Sequence, residues 1–249
     1  MSGHSKWHNI QKTKGAQDAK RAQAFTKIAR EMIVAVKEGG SGDPANNSRL
    51  AAVVVKAKAA NMPNDNIKRT IDKALGSGNT DNYESGRFEG YGAGGVAVIV
   101  EVLTDNKNRT SASMSHAFDK FGGNLGVPGC VGYMFDRKGV FVFDNEEGEI
   151  SEDTMMEAAL EAGADDVVTY EDSYEVYCDP NAFDEVAAAF KEAGYEPVES
   201  DVMQVPNITS TPTDEAAIKN LKKMVALLED DDDVQHVYTN CTIDLYDEE

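Results

Sequence analysis

Cysteine is scarce in this 249-residue chain. Cys130, Cys178 and Cys241 are few, odd in number and far apart, which excludes a disulfide framework and a zinc site of paired CxxC ligands. No apolar run approaches the ~18 to 20 residues needed to span a bilayer. The N-terminal stretch is positively charged but has no apolar segment behind it, unlike a secretory signal. Without secretion, the Asn-x-Ser/Thr triplets at Asn46, Asn108 and Asn207 meet no glycosylation machinery. The chain also lacks GxSxG, HExxH and a P-loop GK[ST], and His116 and His236 stand apart from any nucleophile pattern. These absences predict a cytoplasmic protein of a reducing compartment, with no catalytic residue, no cofactor and no membrane partner.

Positive charge is short overall and unevenly placed. The formal net charge is -20, from 24 Lys+Arg against 44 Asp+Glu. Residues 1–80 hold 14 of those bases and 6 of the acids, a net of +8; residues 81–249 hold the remaining 10 and 38, a net of -28. Within the first 30 residues seven bases (Lys6, Lys12, Lys14, Lys20, Arg21, Lys27 and Arg30) meet one acid, Asp18, and surround the single tryptophan, Trp7. Such asymmetry points to a polyanionic partner. Lys and Arg displace counterions from phosphates, and a planar ring stacks on an unpaired base for ~1 to 3 kcal/mol. The candidate nucleic-acid-binding residues are therefore Lys6, Trp7, Lys12, Lys14, Lys20, Arg21, Lys27 and Arg30. Two alternatives stay open. Trp7 could pack on the helices while the lysines merely solubilise, or the acidic domains could make the chain a protein-protein adaptor that docks basic partners.

Periodicity sets the organisation. Phe25, Ile28, Met32 and Val36 recur at helical spacing in a helix over 16–38 that stops at Gly39-Gly40. A second helix, capped by Asn46 or Asn47, carries Leu50, Val53, Val54 and Ala57, and a third begins at Pro63 and buries Ile67, Ile71 and Leu75. Residues 77–86 read as linker, and Val96 to Leu103 as a strand buried on both faces. From Val140 the order is β-α-β-β-α-β, the ferredoxin-like arrangement. A closing helix and strand cannot bury their faces alone, so they are expected to pair with the segment after residue 81. The predicted fold class is α+β. A basic helical domain with a flexible N-terminal tail spans 1–80, a discontinuous α/β middle domain spans 81–131 plus 206–249, and an inserted ferredoxin-like domain spans 132–205.

Four features carry weaker signals. Gly90-Tyr91-Gly92-Ala93-Gly94-Gly95 satisfies GxGxxG but precedes a strand, which fits a close backbone approach better than a dinucleotide site. Arg137-Lys138-Gly139 followed by Val140 to Phe143 partly resembles an RNA-recognition motif, yet reads better as a hairpin turn entering a strand with core phenylalanines. His4 and His8 have i,i+4 spacing but no carboxylate partner, so no metal site is assigned. The acidic run Glu229 to Asp233 could hold a divalent cation, though such a run is more often a solvated helix end; acids there oppose the macrodipole and call for a local reason.

GHSKWHNIQKTKGAQDAKRAQAFTKIARE, KAKAANMPNDNI, FEGYGAGGVAVIVEVLTDNKNRT, FGGNLG and DDDVQHVYTN, spread from residue 3 to 240, together resemble the YebC family. That family includes the mitochondrial translational activator of cytochrome oxidase subunit one. His8, and Cys130-Val131-Gly132, depart from its usual residues. The resemblance implies three domains with a helical first and an inserted third, and a cytoplasmic, non-enzymatic factor in gene expression. It also implies either transcription regulation with DNA binding, or translation regulation as a ribosome-associated factor binding RNA. The partners it implies are nucleic acid (DNA or rRNA) and the ribosome or other regulators.

Overall fold

The computed structural model describes residues 17–76 and 82–246, with side chains from residue 21 onward. The fold is α+β: an N-terminal helical region, then two four-stranded antiparallel sheets with helices on their outer faces. The helical region comprises α1 (Gln17–Gly39), α2 (Ser48–Ala59) and α3 (Asn64–Leu75). Their stripes meet in one cluster in which Met32, Val36, Leu50, Ala57 and Ile67 are buried, but Leu75, expected to be buried with them, is 55% exposed at the last turn of α3. Asn47 is the cap of α2. Its Oδ1 accepts from the Leu50 amide at 3.0 Å, while its Nδ2 donates to the carbonyls of Ala35 and Ser41 at 2.8 and 2.9 Å. One buried side chain thus starts α2 and ties it to the end of α1.

The first sheet has the order β3-β1-β2-β8, from β1 (Glu84–Tyr91), β2 (Ala97–Thr104), β3 (Asn124–Leu125) and β8 (Val234–Thr239). The closing strand therefore joins the early segment, pairing along β2 from Val98↔Thr239 to Val102↔Val234. Val98, Val100 and Val102 face α4 (Lys107–Lys120) and α7 (Glu215–Glu229), burying Met114, Phe118, Leu221 and Leu228. Strand β1 was not expected, and its first three residues fall in the stretch read as linker. Gly90 lies inside it because a Cβ there would stand 2.5 Å from the Asn124 carbonyl oxygen. The glycine-rich stretch is thus a tight turn between β1 and β2, with a 3-10 turn at Ala93–Gly95.

The second sheet has the order β5-β6-β4-β7, from β4 (Phe135–Asp144), β5 (Asp166–Thr169), β6 (Ser173–Cys178) and β7 (Glu199–Pro206). With α5 (Glu152–Ala162) and α6 (Phe183–Glu192) the element order is β-α-β-β-α-β. The hairpin expected at Arg137-Lys138-Gly139 is absent, and β4 runs straight through it. Arg137 and Lys138 pair with Gln204 and Met203 of β7, and Gly139 lies opposite both Val202 and Cys178. Gly139 is there for space: a Cβ would come 2.5 Å from the Cys178 sulfur and 2.9 Å from the Phe183 ring. Phe141 and Phe143 pack on Phe183 and Phe190 under the helices and are buried, so they have no free face for a base. The inner faces of the two sheets meet through Ala97, Ile99, Tyr238, Val140, Val142 and Met203.

Candidate nucleic-acid interface

Helix α1 carries the described part of the predicted basic face, and its bases divide into two groups. Gln23, Lys27 and Arg30, spaced four and three apart, share one stripe. That stripe meets the connection between α7 and β8. Gln23 Nε2 and Lys27 Nζ donate to the Glu229 carbonyl at 3.1 and 2.8 Å. Arg30 donates to the Asp232 carbonyl at 2.7 Å and to Asp233 Oδ1 at 2.6 Å, and its guanidinium lies 5.3 Å from the centre of the Tyr83 ring. The last carbonyls of a helix lack intrahelical partners and carry the negative end of its dipole, so cations from α1 satisfy the end of α7.

Asp233 is the centre of this contact. It is only 3% exposed, and also accepts from Arg109 at 2.7 and 2.9 Å, from Thr110 at 2.8 Å and from Thr104 at 3.1 Å. Burial by itself would raise the carboxyl's pKa; the hydrogen bonds from Arg109, Thr110, Arg30 and Thr104 outweigh it and hold it below the ordinary range. Lys27 moves down from the ordinary lysine range because burial outweighs the attraction of Glu229 and the aspartates after it. The acidic run that seemed to oppose its helix thus has a local reason. Its carbonyls and one buried carboxylate receive the bases of α1 and α4.

The predicted residues are accordingly not equivalent. Lys6, Trp7, Lys12 and Lys14, and the His4 and His8 pair, lie outside the described residues. Lys20 is in the first turn of α1, with its side chain outside the description. Arg21 is exposed and forms no ion pair among the described residues, whereas Lys27 and Arg30 are engaged as above. Three bases that the sequence reading passed over share Arg21's condition: Lys58 at the end of α2, and Lys68 and Arg69 on α3, are exposed without an ion pair among the described residues. Their neighbours are committed, Arg49 to Glu38, and Lys56 to Glu31 at 3.0 Å and Asp201 at 3.4 Å. The available signal was the polar side of KAKAANMPNDNIKRT, where only Asp65 offsets four bases. Among the described residues no group of His, Cys, Asp and Glu could hold a metal ion.

Two family models match the chain: the TACO1/YebC protein N-terminal domain over residues 5–77, and the TACO1/YebC second and third domain over residues 83–241. A probable transcriptional regulatory protein of Geobacillus sp. (strain WCH70) is 52% identical over 240 residues, covering 96% of this chain and 97% of that protein. One of Treponema denticola is 54% identical over 243 residues, covering 98% and 97%. The crystal structure of a conserved hypothetical protein from Aquifex aeolicus superposes with a TM-score of 0.81 at 39% identity, over 90% of this chain and 91% of that one.

Proposed function

The chain belongs to the TACO1/YebC family, and on that premise we propose that it is a non-enzymatic, cytoplasmic regulator of gene expression that binds nucleic acid through its basic N-terminal region, residues 1–80. Relatives named as probable transcriptional regulatory proteins support the regulatory role. The observation that carries the contact surface is a set of exposed bases on the helical region, Arg21, Lys58, Lys68 and Arg69, with no acidic partner among the described residues. Free cations of this kind release counterions on meeting phosphates, whereas Lys27 and Arg30 would have to break internal contacts first. The contact set is then Lys6, Trp7, Lys12, Lys14, Lys20 and Arg21, extended by Lys58, Lys68 and Arg69, with Lys27 and Arg30 acting to hold α1 in place. The three domains take the bounds read from the sequence, 1–80, 81–131 plus 206–249, and 132–205. No helix among the described residues is long and apolar enough to cross a membrane.

Mobility shifts with duplex DNA and with structured rRNA fragments, each over a salt series, test the reading. Binding to either that weakens steeply with salt supports it, and the tighter of the two identifies the class of target. No shift with either at low salt overturns it and leaves a protein-docking adaptor in its place.

A further inference from the structure

Each strand of the second sheet alternates between two faces. Phe141, Phe143, Tyr174 and Val176 turn to α5 and α6, while Val140, Val142, Glu175 and Tyr177 turn toward β8 and the segment following it. On that second side a cleft of about 430 Å³ opens between the sheets. This is within the ordinary range for a small-molecule site. Glu175 is out of character there. It stands in the middle of β6, an interior strand, opposite Val142 on one side and Val168 on the other, and is only 8% exposed. Its buried neighbours on this face are Val140, Val142, Met203 and Tyr177, whereas the other charged residues of the lining, Lys138, Asp166 and Glu199, are more exposed. A carboxylate at such a position costs stability unless an opposite charge meets it.

Among the described residues none supplies that charge. Glu175 Oε2 accepts the hydroxyls of Tyr177 at 2.5 Å and Tyr170 at 3.3 Å, which orient the group without neutralising it. Lys138, the one base lining the cleft, lies 5.5 Å from the centre of the Tyr177 ring and makes no ion pair with Glu175 among the described residues. Asp166 adds further negative charge to the lining. Burial, and then the adjacent Glu175 charge, push the Tyr177 hydroxyl far above its ordinary pKa, as a site short of positive charge should.

We propose that this cleft binds an organic cation, an alkylguanidinium or alkylammonium group, with Glu175 as its counter-ion. Tyr170, Tyr177, Tyr238 and Tyr246 line the cleft and offer aromatic rings for a cation, and Val140, Val142 and Met203 receive the alkyl chain. The head group comes either from a small metabolite or from an arginine of a partner protein. The site is independent of the nucleic-acid surface, since none of its residues lies in the helical region.

Calorimetric titration of the full chain with agmatine, and in parallel with a short neutral peptide bearing one arginine, tests the assignment. Both the wild-type chain and Glu175→Gln are titrated; glutamine keeps the shape and still accepts from the tyrosines. Saturable one-site binding that weakens by about tenfold or more in Glu175→Gln is expected, because a charge-assisted contact is lost. Binding of agmatine identifies a free metabolite as sufficient; binding of the peptide alone identifies a partner's arginine. Met203→Trp, which fills the cleft but leaves every carboxylate in place, should abolish binding while circular dichroism shows the fold retained. Equal binding by wild type and Glu175→Gln would reduce the effect to general attraction by an acidic protein and overturn the assignment. So would the absence of binding of both probes to the wild-type chain at millimolar concentration.

Discussion

Asp233 concentrates in one residue the work of fastening the helical region to the first sheet. Four side chains from three elements, Arg30 of α1, Thr104 of β2, and Arg109 and Thr110 of α4, converge on its carboxylate. Removing it takes the buried counter-charge from Arg30 and Arg109 and leaves only backbone and hydroxyl acceptors around Arg30 and Thr110, so Asp233→Ala should cost about 3 kcal/mol or more in denaturant unfolding. The pH dependence follows from a folded pKa that is depressed. Its stabilisation is complete above the unfolded aspartate value of about 3.9 and is lost as pH falls through the lower folded value. Asp233→Asn should therefore flatten the acid limb of the stability profile, which urea midpoints measured from pH 6 down to pH 2 will register. Asn47 is a second such point. Asn47→Ala loses a cap and leaves the Ala35 and Ser41 carbonyls without their donor, an expected loss of about 2 kcal/mol.

At the scale of elements, most of the secondary structure was legible because period and length carried the signal. The stripes of α1, α2 and α3 and the apolar run of β2 specify their own conformations. Two failures share a cause: glycine beside charge reads as a turn. In β1 the string ESGRFEGY, and in β4 the string DRKG, place glycine where a neighbouring element comes too close for a Cβ, information that lies in the partner rather than in the strand. Gly139→Val should accordingly destabilise the second sheet by about 1 to 3 kcal/mol, through contact with Cys178 and Phe183, whereas a turn glycine on the surface would tolerate it better. Thermal unfolding compared with Gly148→Val, where a Cβ has nothing within 4 Å but φ is +67°, separates overpacking from backbone strain. The basic face was legible only as charge. That Lys27 and Arg30 reach an acidic segment some 200 positions away could not be read from local pattern, and the burial of Glu175 in SYEVYC is equally invisible locally because the element covering it comes later in the chain.

Across the whole molecule, the two charge populations are joined and yet kept distinct. The helical region gives up part of its positive charge to the acidic run, while Arg21, Lys58, Lys68 and Arg69 are exposed without an ion pair among the described residues. The acidic remainder repels phosphate within a screening length of ~10 Å at 0.1 M salt, so it should confine contact to the basic end and hold non-specific affinity down. A fragment of residues 1–80, shown to be helical, should then bind nucleic acid more tightly and less selectively than the intact chain. The most direct measurement is the salt dependence of binding for two sets of variants in the full chain. Arg21, Lys58, Lys68 and Arg69 changed together to glutamine should flatten the log-log slope by up to about 0.9 per residue on duplex, or about 0.7 on single strands, without loss of thermal stability. Lys27 and Arg30 changed to methionine should lower the melting temperature by several degrees, about 2 to 4 °C for each kcal/mol lost, and leave the slope of the folded protein unaltered. A slope that is unchanged by the first set, or flattened as strongly by the second, would contradict the division between a nucleic-acid surface and a structural clasp.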